Sequence, residues 1–403
     1  MKKLIIFTVV ALLGLTLHNC KPDVTPSYNL NIALVLPDGF TLASVPADVE
    51  IKVLNTQTSR ETIIKTMASG TASSLLVEGT YNVTTSFEIT VDGEKFTFNG
   101  VLSNYLLSQE STANVNLVLA DNTGGFVLKE VYFSGSKTPD NKSYYDDQFH
   151  EIYNNSNDTL FADGLCIGVL QQTSTNPNVW VNTDGTFMDK LPITFHVWII
   201  PGTGKQHPVY PGKSIVIAQD GINHKSDPNG NPLSPVNLGN ADWEAYAEVS
   251  GKDLDAPAVP NLTMMYTTST VMTDWLHSVF GAAVIIFRLP EAWQTYVANT
   301  NNFMTTPGST SSTKYFMVDK KYVIDAVEIV RVESDKRYKR LHTVLDAGYT
   351  YLDAGTYCSK SIRRKAKLIV GGRVIYKDTN NSTEDFLHDL TPTPGVNPTA
   401  VEK

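Results

Sequence analysis

The sequence predicts an all-β protein built from two β-sandwich domains. Short runs of alternating apolar residues, separated by glycine, proline, asparagine and aspartate, occur along most of the chain. This pattern is typical of half-buried strands joined by turns. Helical periodicity is scarce, and residues 241–249 and 290–298 are the best helix candidates. The chain is also longer than one hydrophobic core usually supports, which predicts two domains.

Residues 1–19 are predicted to form a lipoprotein signal peptide. Two lysines precede an apolar run over residues 4–17, which is too short to cross a bilayer as a helix. The segment 17–20 (LHNC) resembles the bacterial lipobox. This resemblance implies cleavage before Cys20, lipidation of the Cys20 sulfur and a polar tether over residues 20–27. Several acyl chains on one cysteine would anchor the protein firmly to a membrane.

Charge and composition narrow the class of protein further. The formal net charge is −9, and removal of Lys2 and Lys3 with the signal would take it to −11, which argues against a nucleic-acid partner. No later apolar run is long enough to span a bilayer, so the lipid is the predicted membrane anchor. Lys21 stands where a retention aspartate would stand in enteric lipoproteins, which favours the outer membrane, on either its periplasmic or its cell-surface face.

Two further cysteines, Cys166 and Cys358, follow Cys20. They could form one disulfide in an oxidising compartment, or both could be free thiols, and the sequence leaves both possibilities open. The sequence has no cysteine and histidine cluster with metal-ligand spacing. We therefore predict no metal and no other cofactor.

Residues 28–120 are predicted to form the first sandwich. Apolar alternation recurs along this stretch, and Asp92 with Gly93 is a hairpin-turn signal. Residues 46–51 (PADVEI) and 77–83 (VEGTYNV) resemble the carboxypeptidase-regulatory or transthyretin-like sandwich. Such domains are usually non-catalytic spacers or docking modules, so the resemblance implies that role here.

Residues 121–125 form a predicted linker, and residues 126–395 are predicted to form the second sandwich, followed by a tail over residues 396–403. Several phrases of this region resemble the lamin-tail domain, an immunoglobulin-like sandwich. They are 126–135 (FVLKEVYFSG), 148–156 (QFHEIYNNS), 211–218 (PGKSIVIA), 324–328 (IDAVE), 361–365 (SIRRK), 378–382 (DTNNS), 385–386 (DF) and 392–395 (PTPG). The region is longer than a lamin-tail domain, with insertions at roughly 170–195, 221–280 and 289–320. Loops on a rigid scaffold often carry recognition.

The whole layout resembles an uncharacterised family of outer-membrane lipoproteins of Gram-negative anaerobes. Catalytic signals are weak in the sequence itself. None of the seven histidines after residue 19 lies three or four residues from another, and the common hydrolase motifs are absent. Glu130 and Glu151, inside two of the lamin-tail phrases, are interpreted as hydrogen-bond acceptors rather than as an acid and base pair or as cation ligands. The prediction is that the protein is not an enzyme.

Residues 331–377 contain twelve lysines and arginines against four acidic residues. This segment is either a solvated strand face or a contact for an anionic partner. The possible anionic-partner patch comprises Arg337, Lys339, Arg340, Arg363, Arg364, Lys365 and Lys367.

Three tryptophans in or beside the insertions are possible aromatic contacts for a ligand or partner, or core residues. They are Trp243, Trp275 and Trp293, whereas Trp198 is predicted to be buried. Residues 227–231 and 378–385 are oxygen-rich loops that fit either a calcium site or ordinary turns.

The sequence thus predicts a non-catalytic, lipid-anchored envelope protein that binds a ligand or docks to an outer-membrane transporter. A glycan or lipopolysaccharide would fit as the ligand. A structural or adhesive surface protein is the alternative, and an envelope hydrolase is the least favoured interpretation.

Overall fold

The computed structural model describes residues 25–37, 40–67, 70–91, 94–119, 125–171, 173 and 175–402. The predicted signal peptide, Cys20, the first part of the tether, the Asp92 and Gly93 turn and most of the predicted linker lie outside these residues. Within the described part of the chain the fold is all-β, as predicted, and its helices are short. No helix there is long and apolar enough to cross a membrane.

The first sandwich is made from one seven-stranded sheet that folds over its own core. Its strand order is β3-β2-β5-β6-β7-β1-β4, with β1 (Ser27–Val35), β2 (Glu50–Asn55), β3 (Glu61–Lys65), β4 (Thr71–Val77), β5 (Gly79–Val91), β6 (Glu94–Leu107) and β7 (Ser111–Leu119). Residues 111–116 of β7 run parallel to β1, and its residues 117–119 pair with β6. The strand β7 therefore joins the two layers.

The core of the first sandwich is apolar. Side chains of a strand point alternately to its two faces, so Leu30, Ile32 and Leu34 of β1 are buried while the residues between them are more exposed. Ile51 and Val53 of β2 are likewise fully buried. These residues meet in one cluster, which gives the sheet its inner face.

The second sandwich consists of a six-stranded sheet packed on a five-stranded sheet. The larger sheet has the order β18-β17-β11-β8-β24-β27, with β8 (Phe126–Tyr132), β11 (Phe149–Asn154), β17 (Ser214–Ala218), β18 (Trp243–Glu244), β24 (Ser361–Arg364) and β27 (Phe386–Leu390). The smaller has the order β19-β15-β13-β20-β23, with β13 (Cys166–Val169), β15 (His196–Ile199), β19 (Thr263–Thr267), β20 (Val284–Phe287) and β23 (Val323–Val327).

Short strands and helices complete the second sandwich. The strands are β9 (Ser136–Lys137), β10 (Ser143–Tyr144), β12 (Leu160–Phe161), β14 (Lys190–Ile193), β16 (Pro208–Val209), β21 (Phe303–Thr305), β22 (Lys314–Asp319), β25 (Ala366–Val370) and β26 (Arg373–Tyr376). The α-helices are α1 (Trp293–Ala298) and α2 (Ser382–Asp385). Single 3-10 turns occur at Leu42–Ser44, Glu248–Ser250, Thr300–Asn302 and Lys320–Tyr322, and a longer 3-10 segment at Glu333–Tyr338.

Apolar residues from both sheets form the core of the second sandwich. Leu128 and Ile152 of the larger sheet share it with Ile167 and Trp198 of the smaller. The predicted burial of Trp198 is confirmed, since the residue is 0% exposed. All seven residues of β8 are buried, including Lys129 and Glu130, because this strand is covered on both faces.

One of the two predicted helices is wrong. Residues 241–249 form β18 and the start of a 3-10 turn instead, because Trp243 and Glu244 pair in parallel with β17. The second candidate does contain a helix, α1, but it begins at Trp293 rather than at Pro290.

Candidate functional site: a cleft between the two sandwiches

A cleft of about 400 Å³ lies between the outer face of the first sandwich and two segments of the second. Strands β2, β5 and β6 form one wall, residues 177–187 form a second, and residues 336–349 with the α2 region form the third. Binding sites commonly lie at such boundaries between domains, where groups from separate segments converge. We therefore take this cleft as the candidate site.

The first wall follows from strand alternation in β2. Ile51 and Val53 point into the first core, so Lys52 and Leu54 project from the opposite face into the cleft. Leu54 is only 8% exposed because the second sandwich covers it. Thr84 of β5 is the cross-strand partner of Lys52, and it presents a hydroxyl beside the lysine.

The second wall is a turn from the first predicted insertion. Val181 and Phe187 are joined by a β-bridge and line the cleft. Trp180 anchors the turn, because its indole Nε1 donates to Gln171 Oε1 at 2.5 Å and its ring packs edge-on against a tyrosine. Asn104 Nδ2 donates to the Gly185 carbonyl at 3.2 Å and ties this turn to the first sandwich.

The third wall carries cationic residues that also contact the first sandwich. Lys336 Nζ lies 2.8 Å from Glu61 Oε2, and the Arg337 guanidinium donates to Ser59 Oγ at 2.8 Å. The Arg337 guanidinium also lies over the Tyr338 ring, at 4.8 Å from its centroid. These contacts hold the basic segment against the first sandwich at one end of the cleft.

Tyr349 is fixed in the third wall by α2. Its backbone N–H donates to Thr383 Oγ1 at 3.0 Å, and the Thr383 hydroxyl donates to its carbonyl at 2.9 Å. Gly348 permits this close approach, since an added Cβ would lie 2.0 Å from Asn381 Oδ1. Burial raises the pKa of Tyr349, so its phenol stays protonated and can donate a hydrogen bond.

The cleft combines aromatic rings with many polar groups. Phe187, Tyr338 and Tyr349 supply rings, and asparagine, serine and threonine side chains from both sandwiches supply hydrogen-bond donors and acceptors. Aromatic faces with surrounding amides and hydroxyls suit a polar ligand that also has apolar faces, such as a sugar ring. Lys52 and Arg337 add positive charge to the walls and Glu50 and Glu384 add negative charge, so an anionic substituent would bind best beside the two cations.

The predicted anionic-partner patch is divided by the structure. Arg337 and Lys339 line the cleft. Arg363 forms an ion pair with Glu402, on a different strand from the cleft residues. Lys365 is half-buried, and Lys367 is exposed.

Arg340 and Arg364 do not belong to any exposed patch, which corrects the prediction. Arg340 is 4% exposed and donates to the carbonyls of Thr173 and Asn176. Arg364 is 1% exposed, because β24 lies between β8 and β27 inside the sheet.

The Arg364 guanidinium is the centre of a buried ionic network. It lies 2.6 Å from Asp325 Oδ2, 3.0 Å from Asp378 Oδ1 and 3.5 Å from Asp385 Oδ2. Burial alone would lower the pKa of Arg364, but these carboxylates outweigh that effect and raise it. Arg364 is thus a structural residue.

The predicted aromatic contacts are corrected in the same way. Trp243 is 7% exposed and Trp275 is 2% exposed, and both belong to the core of the second sandwich. Trp275 stacks on His150 with ring centroids 4.5 Å apart. Trp293 is half-buried against the smaller cluster beside β20, away from the cleft.

Glu130 and Glu151 have structural partners. Lys129 Nζ lies 2.7 Å from Glu151 Oε1. The side chains of Lys129, Glu130 and Glu151 are all buried. Ser361 Oγ donates to Glu130 Oε1 at 2.5 Å. This geometry matches the interpretation of both glutamates as hydrogen-bond acceptors.

Both oxygen-rich loops use their oxygens in turns. Asp385 accepts hydrogen bonds from Thr379 and from the Asn381 backbone, and Asp227 Oδ1 accepts from the Asn229 backbone N–H at 2.9 Å. The cysteines are both free thiols, with Cys166 buried and Cys358 half-buried.

Sequence reasoning missed Phe187, Tyr338 and Tyr349. Phe187 lies in an insertion that was predicted to carry recognition, so its location was a usable signal. Tyr338 and Tyr349 lie in the basic segment, which the sequence analysis interpreted from its charged residues alone. The contact of these three walls depends on the packing of the two sandwiches, which no local pattern reveals.

The chain is similar to an uncharacterised protein family. Residues 210–393 match the sequence profile of DUF4876, described as a protein of unknown function. The crystal structure of a DUF4876 family protein from Bacteroides thetaiotaomicron VPI-5482 is 28% identical with a TM-score of 0.60, and the similarity covers 93% of this chain and 99% of that one. The expected resemblance to an uncharacterised family is thereby confirmed.

A second similar structure is more distant. A DUF3823 family protein from Parabacteroides merdae ATCC 43184 is 15% identical with a TM-score of 0.18, covering 38% of this chain and 68% of that one. Similarity at this level says nothing about function. No curated protein matches the chain.

Proposed function

We propose that this is a lipid-anchored, non-catalytic envelope protein that binds a carbohydrate-containing ligand in the cleft between its two sandwiches. The cleft itself carries the proposal, because aromatic rings and hydrogen-bonding side chains from three separate walls converge in about 400 Å³. The transthyretin-like and lamin-tail-like resemblances of the two domains support a binding scaffold, since loops on such sandwiches carry recognition.

The positions of the histidines argue against a histidine-dependent hydrolase in the cleft, whereas Glu50, Glu61 and Glu384 line it and carboxylate pairs are the groups that hydrolyse glycosides. His150 Nε2 lies 2.9 Å from His277 Nδ1 in the core, and His224 Nδ1 lies 2.7 Å from the Tyr144 hydroxyl. All of these side chains are buried outside the cleft. Among the described residues that line the cleft there is no histidine or cysteine.

The binding proposal is tested with an array of neutral and anionic oligosaccharides, followed by calorimetric titration of any hit. Tyr349→Ala and Phe187→Ala should each weaken binding by about tenfold, or about 1.4 kcal/mol, because each removes a ring from the cleft. Tyr210→Ala is the matched control, since Tyr210 is 60% exposed outside the cleft and its loss should leave affinity unchanged. The cations predict that anionic sugars bind more tightly at low salt than at high salt.

Two other outcomes would count against this proposal. Equal loss of affinity in Tyr210→Ala would place the ligand elsewhere. A protein that binds no soluble saccharide but adheres to surfaces would favour the structural or adhesive alternative.

The anchoring part of the proposal concerns Cys20. Cys20→Ser should release the protein from the membrane fraction, because the lipid is the proposed anchor. Unchanged fractionation with the outer membrane would refute lipid anchoring.

A separate experiment tests docking. Purification of the lipidated wild-type protein from native membranes shows whether an outer-membrane transporter co-purifies in stoichiometric amount, as docking predicts.

A further inference from the structure

Four aspartates from distant parts of the chain converge on one side of the second sandwich. They are Asp146, Asp220, Asp253 and Asp274. One carboxylate oxygen from each of the last three lies within 4.8 Å of the corresponding oxygens of the other two. Asp146 is close enough to interact electrostatically with both Asp220 and Asp274. This aspartate cluster is separate from the cleft.

One oxygen of the Asp220 carboxylate is shielded and has no hydrogen-bond partner among the described residues. Asp220 is 6% exposed, and its Oδ1 atom is shielded from solvent without any hydrogen-bond donor. The Asp253 Oδ1 atom is shielded and accepts no hydrogen bond from an N–H group or a hydroxyl, and the Asp253 and Asp274 carboxyls are within hydrogen-bonding reach of each other. In the described part of the chain, no lysine, arginine or histidine forms an ion pair with any of the four aspartates, in contrast to the carboxylates around Arg364.

This arrangement is costly for the protein alone. A buried carboxylate without a hydrogen-bond donor or counter-charge loses its hydration without compensation. The neighbouring carboxylates add electrostatic repulsion to this cost. A bound cation would remove both the repulsion and the lack of partners.

Each aspartate is held in place by its neighbours. Asp147, next to Asp146, accepts hydrogen bonds from the hydroxyls of Tyr132, Ser136 and Ser234. The Gly221 N–H, directly after Asp220, donates to Glu244 Oε1 at 2.8 Å. The cluster is therefore built on fixed backbone.

The other two aspartates are anchored just as firmly. Trp275 follows Asp274 and is packed in the core at 2% exposure. Asp253 Oδ2 accepts a hydrogen bond from the Ala247 N–H, which leaves its Oδ1 atom for the cluster. Such preorganisation distinguishes a ligand site from a mobile acidic loop.

We propose that Asp220, Asp253 and Asp274, assisted by Asp146, bind one divalent cation of the oxygen-preferring class, with calcium as the expected ion. The donor set consists of carboxylate oxygens without nitrogen or sulfur, which favours calcium or magnesium over zinc or copper. Calcium accepts six to eight oxygens in irregular geometry, as several mono- or bidentate carboxylates with water would provide, whereas magnesium requires a near-ideal octahedron.

The test is a calcium titration of the full chain after chelator treatment, followed by calorimetry and by thermal unfolding. We expect one calcium per chain. The melting temperature should rise by roughly 5–10 °C when calcium exceeds its dissociation constant about 100-fold. Asp220→Asn and Asp274→Asn should abolish this rise, because each keeps the side-chain shape but removes a charged ligand.

The variants also make the test independent of a folding defect. In chelator, Asp220→Asn should melt close to the wild-type temperature, since it keeps the side-chain shape of a buried group that has no partner there, and in calcium it should melt below the wild type. Glu248→Gln is the matched control, because this exposed glutamate lies in the same region outside the cluster, and it should keep the full calcium response. No shift of the wild type at up to about 10 mM calcium, or an equal shift in the Asp220→Asn variant, would overturn the proposal.

Discussion

The two sandwiches are stabilised by chemically different interiors. In the described residues of the first sandwich, the buried polar groups are uncharged: Asn55, Thr66, Thr85, Thr97 and Asn99. The second sandwich buries many ionisable side chains, namely Lys129, Glu130, Asp147, His150, Glu151, Asp163, His196, Asp220, His224, Glu244, His277, Asp325, Glu328, Asp335, Arg340, Asp346, Arg364 and Asp385.

This difference shows two ways of specifying a β-sandwich. An apolar core is stabilised by burial of apolar surface, and it tolerates substitution of one apolar side chain by another if the total volume is kept. A buried ionic network adds little net stability, but it is strongly destabilising once one partner is removed. The second sandwich must bring together strands that are distant in sequence, such as β8, β23 and β24, and the Arg364 network links them.

Removal of the central cation should give the largest effect. Arg364→Ala leaves Asp325 and Asp385 buried without a counter-charge, so we expect a loss of about 3–5 kcal/mol in the free energy of unfolding. Denaturant unfolding followed by tryptophan fluorescence measures this loss in the second sandwich, because all five tryptophans lie after residue 125. Lys367→Ala, an exposed cation on β25, should change stability by less than about 0.5 kcal/mol. A loss below about 1 kcal/mol for Arg364→Ala would remove the contrast between the two interiors.

A cavity in the first core should have a somewhat smaller and localised effect. Leu30→Ala deletes a fully buried side chain, so we expect a loss of about 3 kcal/mol. Far-UV circular dichroism should report the loss, while the tryptophan transition stays at its wild-type midpoint. Leu75→Ala is the control, since Leu75 is 66% exposed on β4. An equal shift of the tryptophan transition would show that the sandwiches unfold as one unit.

The smallest of the three effects concerns acid sensitivity. His196 is 0% exposed, neither ring nitrogen has a hydrogen-bond partner in the described residues, and burial lowers its pKa to about 4. Because the folded pKa lies below the unfolded value of about 6.5, the stability contributed by the neutral ring is present above pH 6.5 and is lost as the pH falls towards 4.

His196→Phe keeps an aromatic ring that cannot be protonated. Relative to this variant, the wild type should lose about 2 kcal/mol of unfolding free energy between pH 8 and pH 5. Denaturation midpoints at several pH values measure the difference, and the pH 8 values provide the baseline. A constant difference across this range would mean that His196 is not the source of the acid sensitivity.

The sequence predicted the first sandwich better than the second. Apolar alternation along residues 28–120 predicted strands with one inward face, and Leu30, Ile51 and Val53 do lie fully buried in the first core. In the second sandwich, the basic run at residues 363–365 was interpreted as a solvated face or as a contact for an anionic partner. Burial of Arg364 depends on Asp325, Asp378 and Asp385, and no local pattern couples those positions to it.

The candidate sites were predictable only as regions. The insertions at roughly 170–195 and 221–280 were expected to carry what is particular to this protein, and they supply Phe187 of the cleft and Asp253 and Asp274 of the aspartate cluster. The individual residues could not be chosen, since single aspartates and aromatics separated by long stretches carry no spacing signal. Their convergence is a property of the packed sheets.

The position of β1 has a mechanical consequence. This strand is hydrogen-bonded to β4 on one side and to β7 on the other, and it directly follows the segment that a lipid on Cys20 would attach to the membrane. A pull through that segment acts along β1 and loads both ladders in shear, so many backbone hydrogen bonds resist it at once. With the proposed lipid on Cys20 as the anchor, drag on the rest of the protein would be transmitted through the interior of the first sandwich instead of peeling away an edge strand.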